Sequence, residues 1–172
     1  MFPWKGYAGF RFVDAKGKEG EFDLVIVTHC NVLVIELKDW NRKPITAKGD
    51  KWFKGRQNRG RSPVSVTRDK YYLLGKKLNA IKHRFTNAGF KPYIDYFVVM
   101  TGDADFSQLP DDQLAHTLSL DQFLKFADRE VFYERFSPHP NAHVLNKDFH
   151  LFDELFGVNQ TAPKPMRVAG YE

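Results

Sequence analysis

Hydrophobic residues near the amino end of the chain fall into two short runs, at 24–27 and 32–35. Both runs are rich in Val, Ile and Leu, and their shortness favours buried strands over helix. Only Thr28-His29-Cys30-Asn31 separates them, so the pattern predicts an antiparallel hairpin. A further strand is predicted ahead of this hairpin, at 8–13.

The apolar spacing becomes helical further along the chain. From about Val64 to Asn87, apolar residues recur every three or four positions, which predicts an amphipathic helix with Ser62-Pro63 as its cap and first turn. An apolar run at 93–101 is long enough for a central strand. Because a helix between two strands implies a crossover connection, the expected fold class is α/β, a mixed sheet with this helix on one face.

Smaller elements are predicted around this sheet. The turn residues Lys48-Gly49-Asp50 lie between two short runs and indicate a second hairpin. Phe-rich stripes beyond residue 120 are expected in the core. These predicted elements are a hairpin at 44–47 and 51–53, a basic loop at 55–63, a strand at 116–120 and helices near 121–135 and 147–156.

The chain is expected to form one domain, residues 1–156, followed by a linker-like tail, residues 157–172. At 172 residues and 20.0 kDa it is large enough for one full core. The tail is polar and contains proline, so we expect it to lead to a further domain in a longer polypeptide. The sequence does not set the oligomeric state.

Composition places the chain among ordinary globular proteins of the cell interior. No apolar run approaches the length that spans a bilayer, and the first residues lack the apolar core of a signal peptide, so no membrane partner is expected. The single cysteine, Cys30, excludes an internal disulfide and fits a reducing compartment. We therefore expect a cytoplasmic protein.

The first hairpin brings ionisable residues to the end of an apolar pair of strands. A two-residue or four-residue loop places Asp23 opposite Glu36, with Cβ atoms roughly 5 Å apart. Since side chains repeat every second residue along a strand, Glu21 and Lys38 are expected on the same face as these two acids. A three-residue loop would break this register unless a bulge restored it.

Two carboxylates at this separation repel each other, and a shared proton or a divalent cation relieves the repulsion. Oxygen ligands favour Mg²⁺ or Mn²⁺ over zinc. The candidate ligands are Asp23, Glu36 and the backbone carbonyl of Leu37, with Glu21 as a further candidate. Lys38 could orient a water or stabilise a phosphate oxygen, which is the chemistry of metal-assisted phosphodiester hydrolysis. The alternative is an edge hairpin on which Glu36 and Lys38 form a surface ion pair.

Positive charge is concentrated directly after this hairpin. Residues 42–84 hold 14 Lys or Arg against two acids, a net +12, whereas the remainder holds 12 against 19, a net −7. Such a block is typical of a surface that binds the nucleic-acid backbone, with DNA expected rather than RNA. The alternative is a solvated face without a partner. The candidate nucleic-acid-binding residues are Trp40, Lys54, Arg56, Arg59, Arg61 and Lys70, and Trp52 and Phe53 could also stack on bases.

The predicted long helix positions two of its lysines differently. At 100° per residue, Lys70 lies at the border of the apolar stripe, so it could reach the rim of the sheet where the acids lie. Lys76 points away from the stripe and is expected in solvent.

Two segments, Gly20-Glu21-Phe22-Asp23 and Ile35-Glu36-Leu37-Lys38-Asp39-Trp40, resemble the nuclease-related domain (NERD), a branch of the PD-(D/E)xK nuclease superfamily. The resemblance covers about residues 8–101. It implies a restriction-endonuclease-like mixed β-sheet flanked by helices, a metal ion at Asp23 and Glu36, and Lys38 near the attacking water. Such domains often precede kinase or helicase modules, and some are linked to defence against phage.

The chain departs from this family at two places. Family members open the following helix with Asn-Pro-x-x-Gln, whereas this chain has Ser62-Pro63 without the Gln; Lys70 is similar to the basic residue of members fused to protein kinases. Members also begin with a helix that carries a further Glu, and the 22 residues before Asp23 are too few for it.

Three hypotheses follow from the sequence. The first is a Mg²⁺-dependent deoxyribonuclease domain with Asp23, Glu36 and Lys38 as its catalytic residues. The second is a catalytically silent nucleic-acid-binding module that recruits a fused domain, which the two departures from the family favour. The third is a protein-interaction domain, which requires the Phe-rich residues 121–156 to be exposed.

Overall fold

A computed structural model describes residues 4–13, 19–86, 92–136 and 148–157 of the chain. Most of the predicted tail, 157–172, lies outside the described residues. None of the described helices is long and apolar enough to cross a membrane. In chain order the strands and helices are β1 (Trp4–Val13), β2 (Glu19–Thr28), β3 (Asn31–Lys38), β4 (Ile45–Lys48), β5 (Lys51–Lys54), β6 (Gln57–Arg61), α1 (Pro63–Ala80), β7 (Tyr93–Met100), α2 (Asp111–Leu114), β8 (Thr117–Ser119), α3 (Leu120–Leu124), α4 (Arg129–Arg135) and α5 (Phe149–Leu155).

The main sheet has five strands in the order β1-β2-β3-β7-β8. The first three strands pair antiparallel, whereas β3 pairs parallel with β7 and β7 pairs parallel with β8. The crossover from β3 to β7 includes α1, as a parallel connection requires. The mixed sheet flanked by helices confirms the predicted α/β class and is consistent with a restriction-endonuclease-like fold.

The β2–β3 hairpin has the predicted register. Leu24 pairs with Ile35 and Val27 with Val32 across the two strands. The hydroxyl of Thr28 closes the turn, since it accepts hydrogen bonds from the backbone N–H groups of Cys30 and Asn31, each at 3.1 Å. The register that the sequence predicted is therefore confirmed.

Helices cover both faces of the sheet. On one face, Val25 and Val34 pack in a core cluster with Leu74 of α1 and Phe152 of α5. On the other face, Ile35 and Phe97 belong to a second cluster that includes Phe132 and Phe136. The Phe-rich stripes are therefore core, as predicted, and the third hypothesis, which requires them exposed, is wrong for the described residues.

The helical predictions were too long. Helix α1 ends at Ala80 and a short 3-10 helix, Lys82–Arg84, follows it, whereas the spacing predicted helix to Asn87. The region 121–135 is split, because the Asp128 side chain accepts hydrogen bonds from the N–H groups of Glu130 and Val131 and so caps a new helix, α4.

Strands β4, β5 and β6 form a separate antiparallel sheet, residues 45–61, which we call the wing. The predicted hairpin at the Gly49 turn is confirmed. The predicted basic loop at 55–63 was wrong for residues 57–61, which form strand β6. Gly55 has a positive φ of 60°, which closes a tight turn and lets Gln57 pair with Lys54. Trp52 and Ile45 then bury the wing against the rest of the domain in a third core cluster.

Candidate active site

The two predicted acids lie where the β2–β3 ladder ends. The last pair of the ladder is Leu24 and Ile35, and one further step in the same register places Asp23 opposite Glu36. Asp23 accepts a hydrogen bond at its Oδ2 from the backbone N–H of Leu37, at 3.0 Å. The Asp23 carboxylate therefore contacts β3 beyond the last pair of the β2–β3 ladder.

Glu36 is the most constrained group of the site. It is only 8% exposed, and burial raises the pKa of its carboxyl above the ordinary value of 4.5. A hydrogen bond and the charge of Lys70 oppose this shift, while the nearby charge of Asp23 adds to it. A buried carboxylate beside a second acid gains from a positive charge, so the site favours cations.

Two lysines provide positive charge around this carboxylate. Lys70 Nζ donates to Glu36 Oε2 at 2.6 Å, and Lys38 Nζ lies 3.9 Å from Glu36 Oε1. The reach of Lys70 from α1 to the sheet rim is confirmed. Lys76 is exposed, as expected. The site thus combines residues from β2, β3 and α1.

The backbone of Leu37 faces the same position as the acids. In an extended strand, the N–H and C=O of one residue point to the same edge. The N–H of Leu37 points toward Asp23, so its carbonyl lies on this edge as well. Thr101 N–H binds the carbonyl of the next residue, Lys38, at 2.9 Å on the β7 side, as the alternation requires.

The alternation of side chains along β2 is interrupted between Phe22 and Val25, so the placement of Glu21 on the face of Asp23 stays a prediction. Phe22 and Val25 both pack in the core cluster beneath α1, although strict alternation would place them on opposite faces. Gly9, with a positive φ of 65°, lies across from Asp23 in the β1–β2 register, where this alternation is broken. Glu21 lies exposed on β2, 3.6 Å from Arg11.

The described parts of the chain contain no group of three or more His, Cys, Asp or Glu side chains that could hold a metal ion. The acidic component of the site is therefore the pair Asp23 and Glu36. The two residues supply hard oxygen donors, the ligand type of Mg²⁺ and Mn²⁺.

Trp40 lies in the core and not on an open surface. It is 8% exposed, and its ring packs edge-on against Trp52, which is fully buried, with centroids 6.2 Å apart. The guanidinium of Arg59 lies 5.1 Å from the Trp40 ring centroid and Lys38 Nζ lies 5.9 Å from it. The structure therefore places Trp40 and Trp52 where they cannot stack on a base, and it makes Trp40 the support of two cations.

The wing presents the other predicted cations in different ways. Arg56 and Arg59 are exposed, and Lys54 is half-buried. Arg61 forms ion pairs with Asp69 at 2.6 Å and Asp50 at 3.2 Å, and these hydrogen bonds raise its pKa. Arg61 therefore joins the wing to α1, and the exposed cations of the wing include Arg56 and Arg59 together with Lys48 and Lys51.

Sequence reasoning missed the residue that fixes the wing to the candidate site. The Gln113 side-chain oxygen accepts hydrogen bonds from the Trp52 indole and from Ser62 Oγ, the latter at 2.6 Å. Ser62 also caps α1, because its hydroxyl accepts from Ser65 N–H. A single Gln far along the chain carries no local signal of this role.

Comparison with known families agrees with this geometry. The model of the nuclease-related domain family matches residues 2–101, more than half of the chain and the segment that contains Asp23, Glu36, Lys38 and Lys70. No curated protein and no solved structure matches the chain significantly.

Proposed function

We propose that this chain, which belongs to the nuclease-related domain family, is a divalent-metal-dependent deoxyribonuclease domain. The observation that carries the proposal is that Asp23 and Glu36 lie together where the β2–β3 ladder ends, with Lys38 and Lys70 beside the buried Glu36 carboxylate. This set combines metal-type oxygen donors with cations suited to a phosphate.

The residues present fit a Mg²⁺ or Mn²⁺ ion. Asp23, Glu36 and the carbonyl of Leu37 would hold it, since all three supply hard oxygen donors at the end of the β2–β3 ladder. Lys70 engages only Oε2 of Glu36, which leaves Oε1 toward Lys38 at a distance beyond a hydrogen bond. When bound, such an ion supplies an activated water and offsets negative charge on the phosphate.

The lysines act on the phosphodiester itself. In hydrolysis the water oxygen bonds to phosphorus, the bond from phosphorus to one sugar oxygen breaks, and a water proton ends on that oxygen. Lys38, 32% exposed at the mouth of the site, is placed to orient the water or the scissile phosphate. Charge stabilisation of this kind contributes most where water is excluded, as it is around Glu36.

The wing supports a nucleic acid as the substrate class. Arg59 lies over Trp40, and Lys38 approaches the same ring, so a backbone that crosses the wing leads to the candidate site. Arg56 adds a second exposed cation on the wing. The closely packed Trp40 and Trp52 hold the wing in place, so binding need not order a flexible loop.

The test is cleavage of plasmid and of single-stranded DNA by the full chain in Mg²⁺ or Mn²⁺, with chelator as the blank. Glu36→Ala and Lys38→Ala are expected to abolish cleavage, whereas Lys76→Ala, a matched change on an exposed part of α1, is expected to cleave like wild type. Equal activity in all four proteins would identify a contaminating nuclease and remove the proposal.

A second candidate function is a nucleic-acid-binding module without catalysis. The observation that favours it is that both acids already have partners, since Lys70 binds Glu36 and the Leu37 N–H binds Asp23. Salt-sensitive DNA binding, no cleavage and no heat on titration with Mg²⁺ would support this function over hydrolysis.

The wider setting of the domain is also a proposal. Relatives of this family type that precede kinase or helicase modules suggest a cytoplasmic protein that acts in DNA processing or phage defence. Loss of protection against phage in cells that carry the Glu36→Ala variant of the natural gene would support this setting, and unchanged protection would contradict it.

A further inference from the structure

The charges at the candidate site already balance without a metal ion. Asp23 and Glu36 contribute two negative charges, and Lys38 and Lys70 contribute two positive charges. No third acid joins the pair in any metal-binding group within the described ranges 4–13, 19–86, 92–136 and 148–157. A two-metal site, by contrast, needs enough anionic ligands to hold two divalent cations about 3.5–4 Å apart.

The net charge of the site differs between a complex with one metal ion and a complex with two. One divalent cation and one phosphodiester would bring the site to +1, whereas a second divalent cation would bring it to +3. Like charges in a partly buried site repel strongly, because the surrounding dielectric constant is lower than that of water. The charge therefore accommodates one metal ion only.

Lys70 already engages one of the two carboxylate oxygens of Glu36. Its ammonium contacts Glu36 Oε2 at 2.6 Å, and both side chains are largely buried, at 13% and 10% exposure. The two oxygens of Glu36 thus face different cations, because Lys38 approaches Oε1. Lys70 is held from a well-packed helix, since Leu73 and Leu74 of α1 are buried in the core.

We infer that Lys70 replaces a second metal ion, so that the site binds a single divalent cation and Lys70 supplies the other positive charge to the scissile phosphate. The inference rests on the proposed function for the identity of the substrate, but its charge argument concerns the protein alone. In this role Lys70 is a catalytic residue. Its ammonium contacts the scissile phosphate and keeps its hydrogen bond to Glu36 Oε2.

The test is titration of the full chain with Mn²⁺ alone, without nucleic acid, by calorimetry or by the electron paramagnetic resonance of free Mn²⁺. Wild type is expected to bind one Mn²⁺. Lys70→Met is expected to bind Mn²⁺ roughly tenfold more tightly or to take a second ion, because a competing positive charge has been removed. Lys70→Arg keeps the charge and is expected to bind like wild type, as is the exposed control Lys76→Met.

The dependence of cleavage on Mn²⁺ concentration gives a second readout. It would not change in this way if Lys70 only stabilised the fold. Lys70→Met is expected to lose cleavage at low Mn²⁺ and to regain part of it at high Mn²⁺, where a second ion takes the place of the ammonium. Lys70→Arg is expected to retain part of the activity at low Mn²⁺.

The outcomes separate this inference from the proposed function. Two Mn²⁺ ions on wild type, or unchanged Mn²⁺ affinity in a folded Lys70→Met protein, would overturn the replacement of a metal ion by Lys70. If Lys70→Met does not fold, failure of Lys70→Arg to bind Mn²⁺ like wild type overturns it equally. A third outcome is that wild type binds one Mn²⁺ and Lys70→Met binds it more tightly, but no DNA is cleaved. That outcome would support the inference about Lys70 and contradict the proposed nuclease function.

Discussion

Two buried lysine–carboxylate pairs of this domain have the same contact distance and different surroundings. Lys5 Nζ lies 2.6 Å from both carboxylate oxygens of Asp153, and the hydroxyl of Tyr7 donates to the same carboxylate. Lys70 Nζ lies 2.6 Å from one oxygen of Glu36 only. The first pair joins β1 to α5, and the second joins α1 to the end of β3.

The difference lies in what remains available on each carboxylate. Asp153 has both oxygens engaged by one ammonium and has a phenol as its additional donor, an arrangement that fastens two elements together. Glu36 keeps an oxygen toward Lys38, with the charge of Asp23 nearby. A buried ion pair therefore indicates a binding site only when a second acid and an unfilled oxygen accompany it.

Neutralising the acid of each pair is the strongest way to test this comparison. Glu36→Gln is expected to lower cleavage by roughly 100-fold to 1,000-fold, because a neutral amide holds the metal ion that stabilises the transition state less tightly. Asp153→Asn is expected to leave the cleavage rate unchanged and to lower the thermal midpoint. Initial rates of plasmid nicking and thermal unfolding of both variants give the check, and an equal loss of activity in both would refute the distinction.

Removing the lysine of each pair tests the structural role. Lys5→Met is expected to destabilise the domain by about 2–4 kcal/mol, because it leaves a mostly buried carboxylate without its ammonium. Lys70→Met is expected to cost about 1 kcal/mol, since Glu36 retains Lys38 and its raised pKa makes protonation easier. Urea unfolding of the two variants measures the difference; a larger loss in Lys70→Met would reverse the assigned roles.

A packing change can disturb the candidate site without touching the Lys5–Asp153 pair. A Cβ at Gly102 would lie 2.2 Å from the backbone carbonyl oxygen of Trp40, which cannot move aside cheaply. Gly102→Ala is expected to destabilise the domain by about 1–3 kcal/mol and to alter the near-ultraviolet dichroism of the packed Trp pair.

Gly20→Ala provides the matched control for this packing change. Its Cβ would meet the flexible end of the Leu73 side chain at 2.7 Å, so that side chain can shift and the loss is expected to be smaller. A larger loss in Gly20→Ala than in Gly102→Ala would show that the close approach to Trp40 is not the limiting contact.

The raised pKa of Glu36 predicts a pH effect at this pair. The folded state binds the Glu36 proton more tightly than the unfolded chain does, so the stability that protonation contributes is present at low pH and is lost as pH rises through the raised pKa. Metal binding has the opposite dependence, because it requires the ionised carboxylate.

Mn²⁺ affinity is therefore expected to fall by up to about tenfold per pH unit once the pH drops below the raised pKa of Glu36. Because this pKa lies above 4.5, the fall is expected to begin above pH 4.5. Mn²⁺ titrations between about pH 4 and 8 provide the measurement. Asp153→Asn is expected to leave the pH profile unchanged. A profile that begins to fall only below pH 4.5 would contradict the contribution of Glu36 burial.

Local sequence patterns predicted much of this fold. The short connection at Thr28–Asn31 and the two apolar runs placed Asp23 opposite Glu36 for a two-residue or four-residue loop, and the observed ladder has that register, since strand pairing across a tight turn depends on neighbouring residues. The helical angle of Lys70 relative to its apolar stripe predicted its reach to the acids for a similar reason.

The sequence by itself predicted the crossover helix and the acid pair, because each depends on residue spacing within one segment or two adjacent ones, whereas the hairpin register stayed conditional on the loop length. The tertiary structure alone decided that Trp40 is buried, that the alternation along β2 is interrupted between Phe22 and Val25 and that residues 57–61 form a strand. Each of these depends on contacts with a distant or neighbouring segment: Trp52 against Trp40, the positive φ of Gly9 across from Asp23, and β5 beside β6. Burial and bulges arise only when such segments pack together, and hydrophobic periodicity along one segment does not encode that packing.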